Sequence, residues 1–563
     1  MKPYIQEKIQ QVLAEMEGVP EEFPVELERP AKPEHGDLAT NVALKLARPL
    51  RQAPRQIAES LVARLRVVME PEVIASIEIA GPGFINFRFT TTYLYEQLAV
   101  LLAAGALYGR VTDHEGKRAL VEYVSANPTG PLTVGHGRNA VLGDTIANLL
   151  EWTGYDVTRE YYYNDAGRQM RVLAESVRAR YLELISEEVP KKTIPVGEGE
   201  AVEVPVWFPE EGYLGEYIYD IARKVVEKYG HSLKDTEDLQ PFKEEAEREI
   251  FAQIEHTLRR LGIQMDSYFN EHTLYENGLI WKVLEQLREK GYIYEKEGAV
   301  WFKTTAFGKE QDTVLVKSSG EPTYRLPDIA YHTTKFERGF DHIVDIFGAD
   351  HIATYPDVVN ALRVLGYDVE RLEVVIYQFV TLVRGGQPVK MSTRKATYVT
   401  LDQLLDEVGE DVTRFFFLMR SPNTHLEFDL DRARETSEKN PVFYLQYAHA
   451  RICSILRKAQ EVGIVWEEAP DLSLLQHPAE IRLIKELLDF PDTIRSAARS
   501  KEPHRLINYL TEVARAFTKF YDECRIIGEE VALASARMAL AQATRIVLRN
   551  GLTILGISAP ERM

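Results

Sequence analysis

Cysteine is nearly missing from this 563-residue chain: Cys453 and Cys524 are the two present, with no CxxC pair and no histidine at ligand spacing beside them. That excludes a disulfide framework and a structural zinc site. Long apolar runs are missing too, since none approaches the roughly 20 residues of a membrane span. The opening MKPYIQEKIQQVLAEM reads as an amphipathic helix carrying acidic residues, not as a cleavable leader, so a cytoplasmic protein is expected. A basic surplus is also lacking, because 67 Lys/Arg face 86 Asp/Glu for a formal charge of −19. A protein that coats nucleic acid nonspecifically needs clustered cations, and this composition excludes one. A local basic face is still allowed: from Pro441 onward 16 Lys/Arg meet 15 Asp/Glu, and the acidic surplus lies before that point. Such asymmetry predicts that different parts meet different partners.

What is present is ordinary globular material, 45% hydrophobic and 27% charged, in a length that suits several domains. Residues 1–110 alternate helix and strand signals: an opening helix, a polar stretch at Glu28–Asp37, a helix through Leu38–Leu65, then period-2 alternation over Val73–Phe89 broken by a turn at Gly81–Phe84. Gly109–Gly116 reads as a linker. Residues 111–400 carry short apolar runs bounded by turn residues and followed by helices. These are Ala119–Val124 before a helix from Gly135 to Trp152, His342–Phe347 before Gly348–His351 and a helix through Leu365, and a strand over Leu372–Val383. Such units predict a doubly wound parallel sheet. A segment near 187–215, rich in Pro, Gly and Glu, looks like an insertion. From Leu401 the pattern is almost wholly helical: 401–440 as a connecting helical segment, and 441–563 as a bundle with periodic stretches at Tyr444–Val462, Ala479–Lys501, His504–Ile527 and Ala532–Leu555.

Two motifs carry chemistry. In Ser125-Ala-Asn-Pro-Thr-Gly-Pro-Leu-Thr-Val-Gly-His-Gly-Arg138 a Pro/Gly-rich loop leads from a strand into the mouth of a helix. Gly135 there would let a planar base approach the backbone, and His136 beside the helix N-terminus can donate to phosphate oxygens. The same residues also read as a strand-to-helix turn with a capping histidine. In Val389-Lys-Met-Ser-Thr-Arg-Lys395, after a Gly385-Gly386 turn, three cations on a loop could close over a triphosphate, or could form a solvated face.

Together, Thr133-Val-Gly-His136 and Lys390-Met-Ser-Thr393 resemble the paired signatures of class I aminoacyl-tRNA synthetases. Longer stretches are similar to the bacterial arginyl-tRNA synthetase family: Val121–Asp144, Asp328-Ile-Ala-Tyr-His332, Gly348-Ala-Asp-His351, Asn440–Arg451, the terminal Gly556–Met563, and Pro33–Thr40 in the extra N-terminal domain. The resemblance implies an α/β plus all-α fold: a Rossmann-like catalytic domain, a small N-terminal α/β domain that contacts tRNA, and a C-terminal helical anticodon-binding domain. It implies arginine, ATP with Mg2+ and tRNA(Arg) as partners of a monomer, and no metal held by protein side chains. Thr133, Gly135, His136, Lys390, Ser392 and Arg394 are the implied catalytic residues, with Met391 added for the nucleotide. Two positions depart from the pattern, Thr133 for histidine and Thr393 for lysine, so the missing cation falls to Arg394 or Lys395. Glu122, Asn127, Tyr324 and Asp328 are implied to hold arginine, because a guanidinium offers fixed donors to carboxylates and a flat face to an aromatic ring. Asp350 and His351 are further candidates for that pocket or the adenosine. Tyr324 and Asp328, four apart, would share one helical face. In the bundle, Tyr444, Tyr447, His449, Arg451, Arg457 and Lys458 interleave aromatic and basic character suited to unpaired bases, although Phe443 and Tyr444 also suit a core. Two other readings stay open: a class I synthetase for another amino acid, and a noncatalytic tRNA-binding paralogue.

Overall fold

The computed structural model describes residues 1–21, 23–30, 32–165, 167–197, 200–389, 399–437, 439–464 and 470–563. In the N-terminal region three antiparallel strands, ordered Leu38–Thr40, Phe84–Phe89, Ile74–Ala80, are backed by helices Lys2–Ala14, Val42–Leu50 and Pro54–Val68. The single helix expected over Leu38–Leu65 is therefore a strand and two helices. Proline 54 has no N–H and holds Ala53 extended, which separates the helices, and Arg51 ends the first in a left-handed conformation.

The central sheet has five parallel strands, labelled here β1 (Arg118–Glu122), β2 (Asp156–Tyr163), β3 (Ser267–Asn270), β4 (His342–Gly348) and β5 (Leu372–Tyr377), in the spatial order β5-β4-β1-β2-β3. This is the doubly wound order, whose direction reverses between β1 and β4. The strand expected over Leu372–Val383 is split. Its second half, Val380–Arg384, leaves the central sheet and pairs in parallel with Leu426–Asp429. Residues 401–440 are accordingly not all helical, because that pairing draws a strand out of them. The segment near 187–215 contains an antiparallel hairpin, Lys191–Gly197 with Glu200–Pro205.

The C-terminal bundle comprises Pro441–Glu461, Pro478–Leu488, Phe490–Ser500, His504–Glu523 and Val531–Leu555. The expected stretch Ala479–Lys501 is two helices, with Pro491 opening the second. By length and composition Val531–Leu555 could cross a membrane, yet it packs against Pro441–Glu461, His504–Glu523 and Pro478–Leu488, as the core helix of the bundle does. Both cysteines are buried and free. The stretch read as a linker is held on the bundle: Asn550 donates to the carbonyls of Gly105 and Tyr108, and a Cβ on Gly109 would meet Phe490 at 2.5 Å. Arg29 pairs with Glu486 and Asp489, and Lys485 with Asp37, so the N-terminal region rests on the same helices.

Candidate active site

The crevice at the β1/β4 switch point is assembled from helix α1 (Val134–Trp152), which follows β1, and helix α2 (Arg325–Glu337), which precedes β4. Thr133 caps α1. Its hydroxyl accepts from the His136 N–H, and its own N–H donates to His136 Nδ1 at 3.1 Å. Since a backbone N–H can only donate, Nδ1 is the acceptor and the neutral ring carries its proton on Nε2. Burial also lowers the imidazole pKa, which favours that neutral form. The capping reading of His136 thus holds, and it leaves Nε2–H as the ring's other donor.

Three glycines on α1 differ in what they make room for. A Cβ on Gly137 would strike Leu401 at 2.6 Å and one on Gly143 would strike Tyr123 at 2.2 Å, whereas one on Gly135 would meet only Thr133 Oγ1 at 3.7 Å. Internal packing demands the first two and not Gly135.

Between β1 and α1 the backbone is strained, with Val124 at φ 65° and Ser125 at φ 41°. A β-branched residue in that region is an outlier that surrounding contacts must enforce. Asn139 of α1 enforces it, accepting from Val124 N–H at 2.6 Å while donating to the Ile346 carbonyl of β4 at 2.9 Å. Ser125 in turn donates to Glu122 Oε1 at 2.9 Å and accepts from Tyr162 N–H.

Glu122 and Asp345 are register partners on adjacent parallel strands, so their carboxylates share one face of the sheet. Lys335 of α2, fully buried, lies between them, donating to Glu122 Oε2 at 2.5 Å and to Asp345 Oδ1 at 2.7 Å. One turn earlier, His332 donates from Nε2 to Asp345 Oδ2 at 2.8 Å and from Nδ1 to the Asp328 carbonyl at 2.7 Å, with Asp328 Oδ1 at 3.1 Å. Both ring nitrogens face acceptors, so the ring is an imidazolium. Burial and Lys335 press its pKa down, but Asp328 and Asp345 prevail and raise it to about 10. Asp345 is held down at about 2, its burial outweighed by Lys335 and His332. Burial raises Glu122, with Lys335 opposing.

Other expected residues fall around this cluster. Tyr324 caps α2 with its ring 61% exposed, and Asp328 is one turn on, its side chain 32% exposed. Asn127 is exposed and donates to Gln169. Asp350 is exposed and His351 half-buried in the turn after β4, where the His351 ring stacks on Phe347. Lys390, Met391, Ser392 and Arg394 lie outside the described residues, as do Thr393 and Lys395. Their flanks are described: Val389 N–H donates to the Leu382 carbonyl, Thr400 bridges to Thr133, and Leu401 N–H donates to the Leu132 carbonyl. Lys335, His332, Asp345 and Asn139 were not singled out from the sequence. The Asp328/His332/Lys335 spacing of four and three was the available signal, and it is also the spacing of an ordinary polar helix face.

In the bundle, Phe443 and Tyr444 pack against the core and His449 is buried, whereas Tyr447 and Lys458 are exposed. Arg451 sits over the Tyr521 ring at 5.1 Å, and Arg457 donates to the Glu561 carbonyl.

Against known proteins, residues 3–89 match the arginyl tRNA synthetase N terminal domain. Residues 97–433 match the catalytic domain of tRNA synthetases class I (R), and residues 445–563 the DALR anticodon binding domain. The chain is 63% identical over 563 residues to the arginine--tRNA ligase of Salinibacter ruber, covering 100% of both chains. It is 51% identical to that of Desulfotalea psychrophila, covering 95% of this chain and 94% of the relative. The structure of Thermus thermophilus arginyl-tRNA synthetase superposes with a TM-score of 0.77 at 25% identity, covering 100% of both chains.

Proposed function

The chain belongs to the arginyl-tRNA synthetase family and is an arginine–tRNA ligase, and on that premise we propose that the β1/β4 crevice is where arginine and ATP meet. The arginine carboxylate attacks the α-phosphorus of ATP, which enters as its magnesium complex, and displaces pyrophosphate to give arginyl-adenylate. The terminal ribose hydroxyl of tRNA(Arg) then attacks the acyl carbon and displaces AMP, losing its proton. Positioning and charge stabilisation suffice for both steps, with no covalent enzyme intermediate.

The observation that carries this reading is the charge at the switch point: three carboxylates, Glu122, Asp345 and Asp328, against two cations, Lys335 and His332. A guanidinium supplies the missing positive charge, with half-exposed Asp328 as its open acceptor, the Tyr324 ring along its plane, and Glu122 and Asn127 completing the arginine site. The free space at Gly135 supports close approach of the adenine. His136 Nε2–H, aided by the Thr133 hydroxyl, supports donation to the phosphates. Lys390, Met391, Ser392 and Arg394 precede Thr400, which pairs with Thr133, and in this reading they close over the triphosphate, Arg394 or Lys395 standing in for the lysine that Thr393 replaces. Asp350 and His351 border the same end of the sheet and bear on the adenosine or the arginine. Exposed Tyr447 and Lys458 and half-buried Arg451 meet the anticodon loop, the N-terminal region contacts the tRNA as well, and the enzyme works as a cytoplasmic monomer.

Asp328→Asn tests the arginine site. It removes one charge-assisted hydrogen bond of about 1.5–3 kcal/mol, so the arginine KM should rise roughly ten- to a hundredfold while the ATP KM holds. An unchanged arginine KM sinks the assignment.

A further inference from the structure

We propose that Lys335, which touches neither reacting substrate in the reading above, is the positioning residue that makes the site selective for a cationic amino acid. Its ammonium, shared between Glu122 and Asp345, keeps Glu122 ionised and in one rotamer, and sets the cluster one positive charge short. The inference rests on the assignment of Glu122 and Asp328 to the arginine site.

Geometry carries it. Two carboxylates forced side by side by strand register repel, and in a buried site one of them would take a proton unless a cation bridges them. Lys335 is that bridge, with contacts of 2.5 and 2.7 Å. Glu122 Oε2 is committed to it, and Oε1, which accepts from Ser125, retains lone-pair capacity for a second donor. Among the described residues, the one cluster whose donor atoms would suit a metal ion is Glu122, His332 and Asp345, all within 4.8 Å of one another. Lys335 occupies the cation's place there, and both nitrogens of His332 are engaged. The remaining ionisable neighbours have partners of their own. Glu160 is held bidentately by Arg338, burial keeps the hydroxyls of Tyr162 and Tyr331 well above neutrality, and burial also raises Glu271, which accepts from Tyr162 and borders Asp328.

The consequence is specific. Lys335 opposes the protonation that burial and Asp345 favour at Glu122, and citrulline, the neutral isostere of arginine, leaves the cluster unbalanced. Without it, Glu122 takes up a proton more readily and the preference for arginine over citrulline weakens.

The test is aminoacylation kinetics on the full-length enzyme with tRNA, arginine or citrulline, from pH 6 to 9. Lys335→Met should raise the arginine KM about tenfold at neutral pH with the ATP KM unchanged. That KM should fall back as pH rises and Glu122 ionises, whereas the parent enzyme stays flat. Inhibition of arginine charging by citrulline should strengthen relative to the parent, and Lys335→Arg should restore a pH-independent KM. Because a lone methionine between two carboxylates strains folding, Glu122→Gln and the double variant Glu122→Gln/Lys335→Met, which removes acid and base together, carry the test independently. The double variant should match Glu122→Gln within about twofold in arginine KM, since Lys335 acts through Glu122. A tenfold further loss in the double variant, a flat and unchanged KM in Lys335→Met, or equal losses for arginine and ATP each overturn the proposal. If Asp328→Asn raises the arginine KM and these variants do not follow, only the role of Lys335 fails; if Asp328→Asn is silent, the site itself is misassigned.

Discussion

The ion cluster around Arg414 and the one around Lys335 are both buried, and they differ at the central cation: one carboxylate faces Arg414, whereas two face Lys335. The Arg414 guanidinium donates to Asp144 at 2.6 Å, to the Leu261 carbonyl at 2.7 Å and to the Leu555 carbonyl at 2.8 Å. A Cβ on neighbouring Gly556 would lie 2.3 Å from its Cζ. Asp144 also faces Arg159, whose other partners, Glu151 and Asp266, reach the surface. That hub is a strut joining α1, the residues after the insertion and the end of the last bundle helix. Around Lys335 the partners are as short, but the cation is shared between two buried carboxylates and a third, Asp328, opens to solvent. A closed buried network specifies structure, whereas one with a charge to spare is set up for a ligand.

The largest expected effect breaks the closed hub. Arg414→Met leaves Asp144 short of its partner in the interior and should cost about 3–5 kcal/mol in denaturant unfolding. A loss under about 1 kcal/mol would mean that the hub relaxes at little cost and the contrast drawn here is wrong.

The α1 glycines sharpen the same contrast at the level of shape. Gly137→Ala forces Leu401 and Phe417 aside and should lower stability by about 1–3 kcal/mol. Gly135→Ala makes only an ordinary contact with Thr133 Oγ1, so stability should hold while the ATP KM rises. A destabilised Gly135→Ala with normal ATP kinetics would reverse those roles.

Titration separates the clusters next, because arginine stays charged and histidine does not. His332 is raised from its ordinary 6.5 to about 10, so its stabilisation is complete below pH 6.5 and is lost as pH climbs toward 10. Asp345, lowered from 3.8 to about 2, contributes above pH 3.8 and loses its share as pH falls toward 2. Unfolding midpoints should therefore decline from pH 7 to 10, and His332→Gln should flatten that decline. An equally steep decline in the variant would assign it to other groups.

The smallest effect belongs to the bundle surface. Arg451→Ala, which removes the cation above Tyr521, should weaken tRNA binding and reduce the salt slope by about one counterion, leaving stability and the arginine KM intact. Binding that is normal at every salt concentration would make Arg451 part of the fold alone.

Local patterns were legible where a local cause exists. Ala119–Val121 is apolar because β1 is covered on both faces, and Thr133 with His136 closes a capping box at the helix start. The expected helix over Leu38–Leu65 failed at Pro54, and the expected strand over Leu372–Val383 failed because Val380–Arg384 found a partner in Leu426–Asp429. No periodicity within either segment records such a partner. The same holds in the site: Glu122 and Asp328 came from motif resemblance, while Lys335, three residues beyond His332 on a polar helix, looked like any solvated cation.

Sequence alone thus determined the alternation of strands and helices, the cap and glycines at the mouth of α1, the charge contrast of the C-terminal region and the family motifs, all of which are local or compositional. Tertiary structure decided that β4 lies beside β1 and that α2 covers both, which sets Lys335 against a carboxylate 213 positions away. Parallel strands pair only through long crossovers, so neighbours in such a sheet are remote in the chain. Whether a charge is a solvated face or the bridge of a binding site depends on what those crossovers bring against it.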